Sequence, residues 1–270
     1  MSKDDSSVWL CERRTVAEIS YRESHKYAGK GAEYEQYHQT PWQRFLWSRE
    51  QEILLKILET YFADRDVHLL DFACGTGRIT ALLENRAKTS TGVDVSDSML
   101  AIARERLKRT QIIKADITVQ NVLKPRKFNL ITAFRFFLNA EPELRCGALR
   151  ALVEVLDEDG CFVFNNHRNW GSPWTKLVYA YHRRKNPEEM LNIMGIREME
   201  ELVQGAGLEI VELYPVGFFH PPRVPVSIRL NHVIDHAACR LKSLNRFSES
   251  PIAVCRRRKN HSGNGFASGK

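Results

Sequence analysis

Short apolar runs alternate with apolar stripes at helical spacing through most of this chain, and that alternation sets its architecture. The first stripe, Trp42, Phe45, Leu46, Ile53, Leu54, Ile57, Leu58 and Tyr61, follows Pro41, a residue favoured at a first helical position. An apolar strand, Val67 to Ala73, comes next, then a helix on Ile79, Leu82 and Leu83 that runs to about Ala87. Ser90 to Val95 reads as a second strand, and Ser96 as the N-cap of a helix carrying Met99, Leu100, Ala103 and Leu107. Ile112 to Ile117 and Phe128 to Phe137 form the third and fourth strands. Leu144, Leu149, Leu152, Val153 and Leu156 form a helix stopped by Asp159-Gly160, before a fifth strand from Cys161 to Asn165. Strands alternating with helices at this spacing make βαβ units. The expected fold class is therefore α/β: a doubly wound, mostly parallel sheet with helices on both faces.

The pattern then loosens. An aromatic, basic helix is expected over 170–185, a short helix over 196–203, and a strand from Leu208 to Val216. An inserted helical segment is expected at about 221–246, and Ile252 to Cys255 closes the series behind Pro251, which suits a strand's first residue or an edge. The expected organisation is an N-terminal helical cover over 1–62, a main domain over 63–258, and a disordered tail over 259–270 rich in Ser, Gly, Asn and Lys.

In such sheets ligands bind beyond the carboxyl ends of the strands. Four features fall there: the loop Asp71-Phe-Ala-Cys-Gly-Thr-Gly77, Asp94, Asp116, and the segment Phe134 to Asn139. Glycines in the first let a backbone turn tightly and present its N–H groups to a ligand. The carboxylates suit a ligand with vicinal hydroxyls, an amine or a cation rather than a bare phosphate. A nicotinamide dinucleotide site fits less well, because Thr80 stands where its fingerprint wants Gly or Ala and Asp71 would face a pyrophosphate.

Composition narrows the partners. The formal net charge is +7, but Arg256, Arg257, Arg258, Lys259 and Lys270 sit in a terminal stretch without acids, and the remaining bases nearly balance the 33 acidic residues. A basic face for nucleic acid is not expected. The six cysteines form no CxxC pair and no His/Cys cluster, so neither a zinc or other metal site nor a disulfide framework is expected, and free thiols suit the cytoplasm. The first residues carry acids and do not read as a signal peptide.

Together these residues resemble a class I S-adenosylmethionine-dependent methyltransferase with its seven-stranded, Rossmann-like fold, most strongly over 67–167. Asp71-Phe-Ala-Cys-Gly-Thr-Gly77 resembles the family's first motif. The resemblance implies that Ala73, Gly75 and Gly77 back the methionine part of the cofactor and that Asp71 helps hold its amino group, directly or through water. Gly92-Val-Asp-Val-Ser-Asp-Ser-Met99 resembles the second motif, whose acid, here Asp94, binds the ribose hydroxyls. Ala115-Asp116-Ile117 resembles the third, with Asp116 toward the adenine amine and Val95, Met99 and Ile117 flanking the ring. Phe134 to Asn139 resembles the fourth motif, which places Phe134 near the transferable methyl. Asn129 departs from the family's usual Asp at the start of the fourth strand, a position that is structural.

S-adenosylmethionine is thus the implied cofactor, and methyl transfer to a hydroxyl or amine of a small molecule (a natural product, sugar or quinone- or lipid-like acceptor) the implied function. The alternatives are a macromolecular acceptor and a non-catalytic cofactor-binding scaffold. No Asn/Asp-Pro-Pro-Tyr/Phe sequence follows the fourth strand, which argues against amide- and nucleobase-amine acceptors. His167 follows the fifth strand and is the candidate catalytic residue; it either takes a proton from an acceptor hydroxyl or hydrogen-bonds backbone. Arg135 meets an anionic substrate or pairs with an acid. Tyr27, Tyr34 and Tyr37 resemble the aromatic cover of many members, with Tyr34 the candidate to close over the cofactor. The segment 225–246 is expected to cap the sheet edge or the acceptor site; peripheral membrane contact through its basic amphipathic helix is the second reading.

Overall fold

The computed structural model describes residues 21–24, 27–187, 192–218 and 227–258. The expectations for 1–15, 221–226 and 259–270 lie outside the described residues.

Seven strands form one sheet in the order β3-β2-β1-β4-β5-β7-β6. They are β1 (His68–Phe72), β2 (Thr89–Asp94), β3 (Thr110–Lys114), β4 (Phe128–Ala133), β5 (Leu156–Asn165), β6 (Leu208–Tyr214) and β7 (Ile252–Arg257). The first five are parallel to their neighbours, while β7 runs antiparallel between β5 and β6. Successive side chains on a strand point to opposite faces, and here they divide the core in two. Leu69, Leu130, Val163 and Val254 join α3 (Pro41–Phe62) and α4 (Arg78–Leu83) on one face. Leu70, Ile131, Phe162 and Ala253 join α6 (Pro142–Val155) and α8 (Ile196–Gln204) on the other. All six residues of β4 are buried, as a central parallel strand covered on both faces requires. The chain winds outward from β1 to β3 and then returns to β4, so the topological switch lies between β1 and β4.

Several boundaries differ from the sequence reading. β4 ends at Ala133, and Phe134 to Leu138 form the turn beyond it, apolar because that turn is itself buried. Leu156 opens β5 instead of closing α6. Ser96 occupies the N-cap of α5 (Asp97–Arg106), but its side chain makes no capping bond. Asn129 takes the structural role expected at its position: its Oδ1 accepts the His68 N–H (2.8 Å) and its Nδ2 donates to the Asp66 carbonyl (2.7 Å), joining β4 to the start of β1.

The tyrosine-rich segment is helical, comprising α1 (Tyr21–Ser24) and α2 (Lys30–Tyr37). A Cβ at Gly31 would lie 2.6 Å from the Ser98 carbonyl, so only glycine lets α2 lie this close to α5. Thr40 and Ser172 cap α3 and α7 (Pro173–Lys185), each followed by proline.

The inserted helix α9 (Ile228–Cys239) caps α3 with its polar side inward. Asp235, 1% exposed, receives the Arg49 Nε–H (2.7 Å) and the Gly217 N–H (2.7 Å), and His232 hydrogen-bonds Ser48 (2.9 Å). Part of its apolar side is therefore turned outward, with Leu230, Val233 and, just beyond the helix, Leu241 exposed by 50%, 66% and 57%. A buried ion pair, not apolar packing, fixes the docking side. No helix among the described residues is long and apolar enough to cross a membrane.

Candidate active site

The loop after β1 is held in shape by its own backbone and by Asp94. Ala73, Gly75 and Gly77 take positive φ (53°, 55° and 75°), and the Gly77 N–H returns to the Cys74 carbonyl (2.9 Å). The left-handed turn at Gly77 favours glycine, and a Cβ there would also press on the Leu107 side chain, 2.9 Å from its Cδ1. At the tip of β2, Asp94 Oδ2 accepts the Gly75 N–H (2.9 Å) and Oδ1 accepts the Ser96 N–H (2.9 Å). Two backbone donors thus fix the carboxylate plane, and the residue borders two adjacent cavities.

Asp71 does not reach either cavity wall. It lies beneath the loop, buried, with Thr80 Oγ1 donating to one oxygen (2.5 Å) and Thr132 Oγ1 to the other (2.8 Å). Burial raises its pKa to about 6 despite those hydroxyls. The sequence reading placed this acid on the rim; the structure makes it an internal brace between the loop, α4 and β4. Gly77 is likewise bound up inside the loop, whereas Gly75, Ala73 and Met99 border the larger cavity.

The smaller cavity, ≈ 40 Å³, is a slot between Val95, Ile117 and Phe72, and Asp116 stands at its edge. Its roof comes from α1. Arg22 donates from Nε to Asp116 (2.6 Å) and from Nη2 to Thr118 Oγ1 (2.5 Å), while Tyr21 packs edge-on against Phe136. Burial opposes the Asp116 charge, but bonds from Thr118 and Arg22 outweigh it and lower the pKa.

The larger cavity, ≈ 320 Å³, lies between α2 and the ends of β1, β4 and β5. Tyr34, Phe134 and His167 all border it, so the structure brings together the candidate cover, methyl-side and base residues. Tyr34 packs edge-on against His38 with ring centroids 4.4 Å apart. Tyr27 is exposed and bonded to Glu33, away from that wall. His167 Nδ1 is buried without a partner, and burial, with Arg135 and Arg168 close by, depresses the imidazole pKa far below its ordinary value. His38 is similarly pushed down to about 2 by burial and by Arg78, Arg135 and Arg106. Both shifts favour the neutral imidazole.

Arg135 sits at φ 61° on the turn after β4, with Nη2 on Gln43 Oε1 (2.8 Å) and 3.8 Å from Glu50. The acid-pairing alternative for this residue is thus realised, although the side chain also borders the cavity. Sequence reasoning missed Arg22, Lys30 and Arg168 as site residues. It also missed the clamp in which Arg106 bonds the Thr76 carbonyl (2.8 Å) and Glu35 (2.8 Å), while Thr76 Oγ1 donates to Glu35 (2.6 Å). Arg168 was within reach, standing beside His167 at a strand's carboxyl end; nothing local marks Arg22 or Glu35.

These features coincide with known proteins. A family model described as a methyltransferase domain matches residues 69–160. A Geobacillus sp. protein provisionally described as a methyltransferase is 32% identical over 126 residues, 44% of this chain and 50% of that protein. Trans-aconitate 2-methyltransferase of Escherichia coli is 27% identical over 157 residues, 57% of this chain and 60% of that enzyme. The chain thus spans half to three-fifths of these two relatives. The magnesium protoporphyrin IX methyltransferase of Synechocystis, solved with bound S-adenosylhomocysteine, shares the fold at a TM-score of 0.58 and 11% identity, over 84% of this chain and 94% of that one. A methyltransferase-domain sequence pattern thus runs from β1 into β5 of this chain, inside a seven-stranded frame of the kind solved in S-adenosylmethionine-dependent methyltransferases.

Proposed function

We propose that the protein transfers the methyl group of S-adenosylmethionine to a hydroxyl or amine of a small molecule held in the cavity between α2 and the ends of β4 and β5. The observation that carries this reading is Asp94, a carboxylate whose plane is fixed by two backbone N–H groups where both cavities meet. An acceptor pair oriented in this way matches the vicinal hydroxyls of a ribose. The Gly75 backbone, Ala73 and Met99 would then stand along the methionine part, Val95 and Ile117 along the adenine, Asp116 toward its amine, and Phe134 beside the methyl. Asp71, beneath the loop, would hold the loop's shape. Bound S-adenosylmethionine supplies an electrophilic methyl on a sulfonium.

The chain's own contribution is alignment and exclusion of water, which carry most of the help a displacement at carbon needs. Tyr34 and Tyr37 from α2 close one side of the cavity, and Phe134 the other. His167 presents an unpartnered, neutral Nδ1 and would accept a hydrogen bond from the acceptor's hydroxyl or amine. Its depressed pKa suits orienting that group better than storing its proton. A cavity of ≈ 320 Å³ falls in the range of small-molecule sites, about 300–1,000 Å³. The trans-aconitate methyltransferase, a relative with a small-molecule acceptor, supports the same acceptor class.

Calorimetric titration with S-adenosylhomocysteine tests the cofactor half: binding is expected, and its absence overturns the reading. A mass-spectrometric screen of metabolite extracts for gain of one methylene's mass tests the transfer; a protein that binds cofactor but methylates nothing would fit the scaffold alternative. The exposed Leu230, Val233 and Leu241, beside Arg229 and Arg240, favour a second reading in which α9 rests on a membrane surface while its other side caps α3. Flotation with anionic vesicles decides it, and protein left in the soluble fraction rules it out.

A further inference from the structure

The larger cavity is electrically two-ended. Asp94 and the Lys30–Glu33 ion pair (3.3 Å) border it on one side, while on the other Arg135 and Arg168 face it from the ends of β4 and β5. Arg135 is 8% exposed, and its Nε has no hydrogen-bond partner among the described residues. Its placement is firmly imposed despite the positive φ: Asn165 Oδ1 accepts its N–H (2.7 Å) and Asn139 Nδ2 donates to its carbonyl (2.9 Å). A non-glycine residue kept in the left-handed region by its surroundings is a common mark of a functional position.

Arg168 has no carboxylate within ion-pair distance among the described residues. Burial and the Arg135 charge both lower its pKa, and the acid that offsets it from further away is Glu249, itself raised to about 7 by burial. Glu50 is shared between Arg78 (3.3 Å) and Arg135 (3.8 Å). Three guanidinium groups therefore share two carboxylates, Glu50 and the more distant Glu249. The local balance lacks about one negative charge, at a wall where Arg135 Nε and His167 Nδ1 are also unpartnered. Guanidinium groups short of a full share of carboxylate in such a wall are costly until an anion meets them, and their planar fork fits a carboxylate.

Resting on the methyl-transfer reading above, we propose that the methyl acceptor is a carboxylate-bearing small molecule whose carboxylate sits against Arg168 and the free edge of Arg135. Arg168 is then an acceptor-anchoring residue, and the methylated atom lies on the Phe134 and His167 side of that anchor. The cofactor's own amino-acid carboxylate is the other source of the same chemistry.

The test uses full-length protein saturated with S-adenosylhomocysteine and titrated with benzoate, glutarate and tricarballylate, each against its neutral amide. At least one carboxylate is expected to bind about tenfold more tightly than its amide, the worth of a charge-assisted hydrogen bond. Arg168→Gln is expected to reduce that ratio to near one, and Arg168→Lys to restore part of it. Equal binding of every carboxylate and its amide overturns the proposal, as does a ratio that survives in Arg168→Gln. A second arm compares S-adenosylhomocysteine with 5′-methylthioadenosine, which lacks the amino-acid carboxylate. Their affinity ratio is expected to be the same in wild type and Arg168→Gln, which also reports that the variant is folded. A ratio that falls in the variant assigns the anion to the cofactor and overturns the acceptor anchor. Failure of wild type to bind S-adenosylhomocysteine would sink the methyl-transfer reading instead.

Discussion

The ends of β1 to β3 and the ends of β4 and β5 border one cavity but are assembled in different ways. On the first side, small residues and carboxylates are fixed by backbone groups a few residues away or on the adjacent strand, as with Asp94, Gly75 and Ser96. On the second, Arg135 is held by residues from a remote element, Gln43 and Glu50 of α3, and stands beside His167 and Arg168 on the cavity wall. The first side is the one proposed to hold the cofactor, and the second, which carries the arginines, the one proposed to hold the acceptor. That difference can be broken or sharpened by experiment.

The largest effect is expected where the second side depends on a remote ion pair. Asp235→Ala leaves the buried Arg49 guanidinium with Glu52 as its one carboxylate among the described residues and the Gly217 N–H without its acceptor, a loss of about 3 kcal/mol. Urea unfolding should show that loss, while the affinity for S-adenosylhomocysteine stays within about twofold because the first side does not use α9. A loss under about 1 kcal/mol would mean that α9 is not anchored through this pair.

On the first side, Asp94→Ala removes a carboxylate that accepts two hydrogen bonds and orients the loop. About 100-fold weaker binding of S-adenosylhomocysteine is expected, equivalent to about 3 kcal/mol. Calorimetry giving unchanged affinity would remove Asp94 from the cofactor half.

Asp71 should show itself through pH rather than affinity. Its folded pKa of about 6 lies above the ordinary 3.8, so the folded state holds the proton more tightly than the unfolded one. Between those two values stability falls as pH rises, by roughly 2–3 kcal/mol in all, and below pH 3.8 this penalty is absent. The gap in urea midpoint between Asp71→Asn and wild type should therefore shift in the variant's favour from pH 4 to pH 7. A gap constant across that range contradicts a buried, raised carboxyl.

The smallest effect belongs to the roof over the narrow slot. Arg22 and Asp116 are partly exposed, and such a pair is worth about 1 kcal/mol at most. Arg22→Ala is expected to speed association of S-adenosylhomocysteine by up to about fivefold in stopped-flow measurements, because the slot of ≈ 40 Å³ must open to admit a purine. A slower association would make Arg22 part of the cofactor site instead of its cover.

How much of this was legible in the chain follows from the same contrast. The apolar alternation that places Leu69 and Leu70 on opposite faces is visible in sequence because strand geometry has period two. The glycine loop and the acids at the strand ends are visible because turns and strand tips are local. The end of β4 was read too long because a buried turn, Phe134 to Leu138, has the composition of a strand. Which side of α9 docks was not legible, because hydrophobic spacing says nothing about an Arg49 186 residues away.

The sequence by itself determined the layered sheet, the loop and the line of carboxylates along its carboxyl edge, since each depends on conformations and periods set within a few residues. Only the tertiary structure decided that Asp71 lies under the loop, that Arg22 closes on Asp116 from 94 positions earlier, and that Arg135 and Arg168 meet at one wall. Those pairings depend on how helices dock across the sheet, and a charge carries no mark along the chain of the partner that docking will bring to it.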